Sequence, residues 1–443
     1  MDLDPWLPRA AALRPEHPAL IDVHGSPTTY AELHAQVLDA AAVLQAMGIE
    51  GGDQVALQLP SGLPFLAALH ATLMLGAAVV PIDLRLTAEE QAQRTHQAKT
   101  VVREPLHRTT QPDAQLPDRL DPDAPATIVH TSGTTAAPKP VALTVGNWLW
   151  NALGSALALG LDPQDRWLCT LPLSHVGGLS ILLRSAIYGT TVVLHERFDT
   201  EVAIEAIERD RVTLASLVPT TLERLLDAGL KAPNPLRVAL IGGGPLAPVL
   251  AAQAQEAGIP VAQTYGMTEA CSQVATSLPG QPETAGRPLI GQRIEIADDG
   301  EILVAGPTVA PGVAGLDGWL RTGDLGALDA QGRLTVTGRK ADTIVTGGEN
   351  VAPAEVEAAL LAHPAVADAG VHGRPDPQWG EAVVATVVLY DGSHAEAEEL
   401  RAHVASQLAR YKVPKQIAFA ATLPRTASGK LLRRELSHDP TSG

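Results

Sequence analysis

The stretch Ala126-Thr127-Ile128-Val129-His130-Thr131-Ser132-Gly133-Thr134-Thr135-Ala136-Ala137-Pro138-Lys139 runs a short apolar segment into a turn crowded with hydroxyl groups. A strand that ends in such a turn is a common way to hold polyphosphate. Thr and Ser hydroxyls and backbone N–H groups donate to phosphate oxygens, and Lys139 adds a point charge. The G-x-x-x-x-G-K-[ST] spacing of a Walker loop fails at Ala137, Pro138 and Pro140. An ordinary solvated turn uses Ser, Thr and Pro as well, so this loop alone leaves both readings open.

On either side of it the chain alternates strand-like and helix-like segments. Residues 55–59, 167–171, 191–194 and 236–241 are short apolar runs, separated by Ala- and Leu-rich patterns such as 201–209. The expected fold class is α/β, with layered sheets and largely buried strands. Residues 63–82 are apolar enough to raise the question of a membrane span. His70 and Thr72 interrupt them and Gly76 precedes a β-type run, which predicts a buried helix followed by a buried strand and no membrane insertion. From Arg293 the texture changes to short alternating strands with Asp298-Asp299-Gly300 and Gln331-Gly332 turns, which predict hairpins. After Lys340 a smaller unit is expected, with a helix over 354–363, a strand over 381–390, a helix over 396–411 and a loop at its end. Residues 101–124, rich in Pro, Arg and Thr, read as an exposed connection.

With 443 residues, 45% hydrophobic and 18% charged, the chain has a globular composition and is long enough for two or three domains. The net charge of −17 argues against a nucleic-acid partner, which demands a basic patch, but not against a nucleotide ligand. Cys169 and Cys271 are too few for a disulfide framework or a zinc site and suit a reducing cytoplasm. No basic region followed by an apolar stretch opens the sequence, so no secretory leader is read.

Further loops that could carry chemistry follow strand-like runs, where open α/β sheets bind ligands. Gly242-Gly243-Gly244-Pro245 permits close backbone approach to a flat ligand. Gln263-Thr264-Tyr265-Gly266-Met267-Thr268-Glu269 offers an aromatic face, a hydroxyl and a carboxylate. Arg321-Thr322-Gly323-Asp324 puts an acid beside a turn. Gly338-Arg339-Lys340-Ala341-Asp342, Gly347-Gly348-Glu349-Asn350 and Pro424-Arg425-Thr426-Ala427-Ser428-Gly429-Lys430 complete the set. In their order and spacing these loops resemble those of the acyl-adenylate-forming ligases, the acyl-CoA synthetases, adenylation domains and luciferases, from about Pro27 to Leu432.

That resemblance implies a fold, a reaction and residue roles. Residues 1–339 would form an N-terminal ATP- and acyl-binding domain of layered α/β sheets plus a small β-barrel-like part. Residues 340–443 would form a small mobile α+β domain. A carboxylate attacks the α-phosphate of Mg·ATP, and a thiol then takes the acyl group and releases AMP. Thr131, Ser132, Gly133, Thr134, Thr135 and Lys139 would grip the β- and γ-phosphates. Glu269, with Thr134, would hold Mg²⁺. Gly243, Gly244, Pro245, Tyr265, Gly266 and Thr268 would enclose the adenylate, and Asp324 and Arg339 would bind ribose. Lys430 would bridge the α-phosphate and the attacking carboxylate. Gly348 would sit beside the thiol tunnel after the small domain rotates about Ala341. Ala136 and Pro140 depart from the usual loop and put its ATP affinity in question.

Arg184 is a lone charge in an apolar helical stretch, so it either meets a carboxylate in the protein or waits for one on a substrate. The segments 171–189 and 215–221 look like those of the o-succinylbenzoate–CoA ligases of menaquinone biosynthesis. There the matching arginine helps bind the spare aromatic carboxylate. The resemblance implies a substrate pocket of His175, Arg184, Ser216, Gly266 and Met267, with His175 also available to catalysis or as a cap on the helix that follows it. The implied partners are a small carboxylic acid, ATP and CoA, with a homodimer compatible. Another aryl, short-chain or malonyl-type acid, loading of a carrier protein, and a non-catalytic adenylate-binding protein are the alternatives.

Overall fold

The computed structural model describes residues 2–108, 110, 112–131, 139–425 and 431–436. Its largest sheet has parallel strands in the order Val261–Met267, Val238–Ile241, Leu214–Leu217, Arg166–Cys169, Thr191–Leu194 and Pro18–Ile21. Antiparallel strands Ser272–Thr276 and Arg287–Pro288 close one edge, and Pro27–Thr29 closes the other. Successive side chains of a strand leave to opposite faces. Trp167, Cys169, Val192, Leu214, Val238 and Leu240 enter one core, while Leu168, Val193, Ala215, Ala239 and Ile241 enter another. Burial on both faces explains why these strands read as continuous apolar runs.

The second sheet has the order Thr100–Val102, Gln54–Leu57, Ala78–Pro81, Pro125–Thr131 and Lys139–Thr144, parallel except for its last pair. Between the two sheets lie the helices Trp6–Leu13, Tyr30–Ala46, Leu63–Met74, Val145–Leu159 and Val176–Tyr188, whose buried residues form one continuous core with both sheets. The apolar stretch 63–82 is therefore the buried helix Leu63–Met74 and the buried strand Ala78–Pro81. Among the described residues no helix is long and apolar enough to cross a membrane.

The predicted hairpins form a four-stranded antiparallel sheet, Arg293–Ile296, Glu301–Ala305, Leu320–Leu328 and Leu334–Arg339. Reciprocal backbone bonds, Ala285 N–H to the Leu334 carbonyl and Leu334 N–H to the Gly286 carbonyl, tie it to the segment behind the main sheet. From Ile344 onward another core forms around Val371, Val383, Ala385 and Val387, covered by the helices Pro353–Leu361 and Ala397–Gln407.

Two expectations need correction. The segment 101–124 is anchored and not merely an exposed connection. It starts in the strand Thr100–Val102, and buried Leu120 bridges to Leu3 because the core beneath leaves an apolar seat there. Late in the smaller unit, where a loop was expected, the described residues include a turn of helix, Arg433–Leu436, that packs on its sheet. Leu423, Leu431 and Leu436 converge over Gly370, where no side chain stands in the way. Arg433 ion-pairs with Asp342 at 3.1 Å and Glu357 at 2.7 Å.

Burial in the helix Leu63–Met74 pushes the His70 imidazole down to about 4. The unfolded chain takes up that proton near 6.5 and the native state does not, so stability rises with pH between those values. The contribution is complete above 6.5 and is lost as pH falls from 6.5 toward 4, by up to ~1.4 kcal/mol per pH unit. Urea midpoints measured from pH 7 to 5 should fall, and a His70→Gln variant should show a shallower decline. An equal slope in the two proteins would refute the role of His70.

Candidate active site

The parallel register aligns the carboxyl ends of the main strands. Leu217 pairs with Ile241, which pairs with Gln263, and Ser216 pairs with Cys169. The loops after them lie side by side at one sheet edge: residues 170–175, Val218, 242–247 and the turn at 268–270. In the second sheet Thr131 and Lys139 are register partners in an antiparallel strand pair, with the Thr131 hydroxyl 3.4 Å from the Lys139 carbonyl. Ser132, Gly133, Thr134 and Thr135, together with Ala136 and Lys430, lie outside the described residues. The strand Lys139–Thr144 packs against the turn Thr268–Ala270, so the strand pair and Glu269 are neighbours.

Backbone constraint sets that turn. Gly266 crosses the following strand so closely that an added Cβ would stand 1.6 Å from the Ser272 carbonyl oxygen. Cys271 and Ser272 then adopt φ of 54° and 82°, left-handed values uncommon for side-chain-bearing residues. The Ala310 N–H donates to the Glu269 carbonyl at 2.8 Å and fixes the turn from outside. Met267 packs on the core beneath, and Thr268 opens the turn. Among the described residues no group of three or more His, Cys, Asp or Glu gathers around a metal position. A single carboxylate suits Mg²⁺ delivered with phosphates, because that ion keeps several waters and takes few protein ligands.

Three residues expected in loops lie instead in strands and meet beside this turn, because ladder pairing extends through them: Tyr265 in Val261–Met267, Asp324 in Leu320–Leu328 and Arg339 at the end of Leu334–Arg339. The Tyr265 hydroxyl donates to one Asp324 oxygen at 2.8 Å, and Arg339 pairs with the other at 2.9 Å. Burial, then the adjacent Asp324 charge, pushes the Tyr265 phenol up, so it remains a donor. Tyr265 is itself buried, and its edge serves Asp324 while its ring joins a core, a more enclosed position than an open stacking face. Gly243, Gly244 and Pro245 are exposed opposite it, with Gly243 at φ 78° beside the Val218 side chain. In the smaller unit Gly347 and Gly348 form the tip of the hairpin Ile344–Thr346 and Glu349–Val351.

His175 occupies the N-terminal cap position of the helix Val176–Tyr188, but its side chain makes no capping bond. Burial pushes its imidazole below the usual range and the nearby Asp83 opposes that, leaving it neutral at pH 7. Asp83 is paired to Arg85. Deeper in the same helix Arg184 is 1% exposed. Its Nε and Nη2 both donate to the Asn151 side-chain oxygen, Nε at 3.1 Å. Its guanidinium lies over the Trp167 ring at 5.5 Å, and the Trp167 indole N–H donates to Ser216 Oγ at 2.9 Å. Among the described residues Arg184 has no carboxylate partner.

Residues 7–103 and 97–313 match the family described as AMP-binding enzyme, and residues 355–430 match the AMP-binding enzyme C-terminal domain. The chain belongs to the AMP-binding enzyme family. Within it, the 2-succinylbenzoate–CoA ligase of Bacillus licheniformis is 40% identical over 98% of this chain and 100% of its own length. The ligase of that name from Bacillus subtilis is 39% identical over 97% of both chains. Among solved structures, o-succinylbenzoate CoA synthetase from Bacillus subtilis with the acyl-adenylate intermediate matches with TM-score 0.91 and 38% identity, covering 99% of each chain. The same enzyme with ATP and magnesium ion matches with TM-score 0.91, 38% identity and coverage of 99% and 100%. Rhodopseudomonas palustris MatB bound to ATP matches with TM-score 0.89 and 26% identity over 98% of each chain.

For this family member the fold brings together Tyr265, Asp324 and Arg339, places Glu269 beside the strand pair of Thr131 and Lys139, and links Arg184 to Ser216 through Trp167. Gly348 lies apart on the smaller unit. Asn151, Trp167 and the Asp83–Arg85 pair escaped the sequence reading. Asn151 sits with Asn147 and Ser155 at helical spacing in an otherwise apolar helix, a polar row that the sequence shows but that does not single out Asn151. Because the Gly266 position is filled by backbone, Gly266→Ala should lower stability by more than about 3 kcal/mol, measured by denaturant unfolding. A loss under 1 kcal/mol, on the scale of ordinary surface changes, would refute the close crossing.

Proposed function

We propose that this protein is an AMP-forming ligase that joins 2-succinylbenzoate to CoA in menaquinone biosynthesis. An oxygen of the succinyl carboxylate attacks the α-phosphorus of ATP, the bond to the β-phosphate bridging oxygen breaks, and pyrophosphate leaves. The CoA thiol sulfur then attacks the acyl carbonyl carbon, loses its proton and expels AMP. Two anions must meet in the first step, and a cation between them offsets their repulsion. Lys430 is assigned that place. Thr131 to Lys139 receive the β- and γ-phosphates, Glu269 and Thr134 hold Mg²⁺, and the paired Asp324 and Arg339 face ribose. Bound Mg²⁺ supplies charge neutralisation on the phosphate oxygens. Gly243, Gly244, Pro245, Tyr265, Gly266 and Thr268 enclose the adenylate, and Met267 and neutral His175 line the acyl pocket.

The observation that carries the choice of acid is Arg184. A buried guanidinium is costly without an anion, and among the described residues only an amide oxygen accepts from it. The second carboxylate of 2-succinylbenzoate supplies the missing charge. Ser216, whose oxygen already accepts from Trp167, has its hydroxyl proton free to help. Relatives named for this acid at about 40% identity over nearly the whole chain support the reading. We also propose a boundary near residue 340, a mobile 340–443 domain carrying Gly348 to the thiol, and a cytoplasmic setting, compatible with a homodimer.

A coupled assay of ATP conversion to AMP across mono- and dicarboxylic acids tests the function. Turnover should favour 2-succinylbenzoate, and equal turnover of all the acids would refute the choice. Arg184→Ala should raise KM for the diacid ~10–100-fold, with far less effect on an aryl acid lacking the second carboxylate. Lys430→Ala should slow pyrophosphate release about 10²–10³-fold without unfolding the protein. Near-normal release would remove Lys430 from the first half-reaction.

A further inference from the structure

The side chains around Arg184 share one property: none carries a formal charge at neutral pH. Asn151 contributes an amide oxygen, Trp167 an aromatic face, and the nearby Tyr188 and Cys271 are both pushed upward by burial and stay protonated. The groups that could have supplied an anion are thus an amide, a phenol and a thiol. Asn151, 0% exposed on the helix Val145–Leu159, occupies the place of a counter-ion without being one.

Its orientation is fixed from the far side. Asn151 Nδ2 donates to the Gln273 backbone carbonyl at 3.2 Å. Turning the amide over would set its oxygen against that carbonyl oxygen and its N–H groups against the guanidinium, so the oxygen must face Arg184. This oxygen takes Nε and Nη2, the lateral edge of the guanidinium fork. The terminal edge, Nη1 with the second N–H of Nη2, has no hydrogen bond among the described residues. That edge offers the parallel N–H pair suited to a carboxylate.

Resting on the assignment of Arg184 to the substrate's second carboxylate, we propose that Asn151 is the positioning residue that sets selectivity for diacids. It holds the guanidinium by its lateral edge, presents the terminal edge, and leaves the charge unneutralised for the substrate. An aspartate there has nearly the same shape and would satisfy Arg184 internally. A one-atom difference therefore separates an arginine that awaits an anion from one that already has one.

The test compares 2-succinylbenzoate with 4-oxo-4-phenylbutanoate, which keeps the succinyl arm and lacks the ring carboxylate. The readout is the ratio of kcat/KM for the two acids in the full-length wild type, Asn151→Asp, Asn151→Ala and Arg184→Ala proteins. Asn151→Asp should lower the ratio at least ~10-fold through KM for the diacid, because an internal carboxylate competes for the guanidinium. Asn151→Ala should lower it less, having lost the hold on Arg184 without gaining a rival charge. An unchanged ratio in Asn151→Asp, or an equal loss for both acids, overturns the proposal. Should Asn151→Asp fail to fold, an unchanged ratio in Asn151→Ala overturns it instead. If Arg184→Ala keeps the wild-type ratio, the anchor reading itself fails and takes this inference with it. If Arg184→Ala loses the ratio while Asn151→Asp retains it, only the role of Asn151 fails.

Discussion

In-register parallel pairing of the central strands is the constraint on which the molecule depends. It brings the loops that follow strands at Cys169, Leu217, Ile241 and Met267 to one edge, where residues distant in sequence become neighbours. The same pairing forces alternate side chains into two cores, so the strands must be apolar on both faces. Polar function is thereby expelled to the strand ends, with Ser216 and the helix-borne Arg184 and Asn151 as buried exceptions. Asn151 is hydrogen-bonded to Arg184, and Ser216 is linked to Arg184 through Trp167, since buried polar groups require partners.

Much of this was legible in the chain itself. Apolar runs at 191–194 and 238–241 are strands, the stretch 63–82 splits into helix and strand, and the turns at Gly300 and Gln331-Gly332 join antiparallel strands. These depend on local pattern, turn chemistry and burial, all of which leave a mark on neighbouring residues. Of the segments expected as loops, 242–245 and the Gly347-Gly348 turn are loops, whereas Tyr265, Asp324 and Arg339 lie in strands, because their backbone pairing is set by distant partners. Less legible was what joins them. That Tyr265 would spend its hydroxyl on Asp324, or that Leu436 would fold back over Gly370, depends on contacts between residues 59 and 66 positions apart (324 − 265 and 436 − 370). The left-handed pair Cys271 and Ser272 carries no compositional sign, because glycine and asparagine are absent where such geometry usually announces itself.

The strained turn and the buried arginine represent two ways of fixing a polar group in place. The first fixes where Glu269 stands by excluding backbone alternatives, through a glycine that tolerates no side chain and a carbonyl held by Ala310. The second leaves a charge deliberately incomplete within a neutral shell. Under the proposed function, an unmatched guanidinium would discriminate among acids by what a ligand fails to bring.

The depth of Arg184 also decides what can interfere with it. Mobile ions screen exposed charges over a Debye length of about 8 Å at physiological ionic strength, yet they do not enter a close-packed interior. With 1% of its surface exposed, Arg184 lies where dissolved chloride and sodium are excluded. Salt in the surrounding medium will screen the long-range repulsion between an anion and this acidic protein, while the surroundings of the buried guanidinium stay almost untouched.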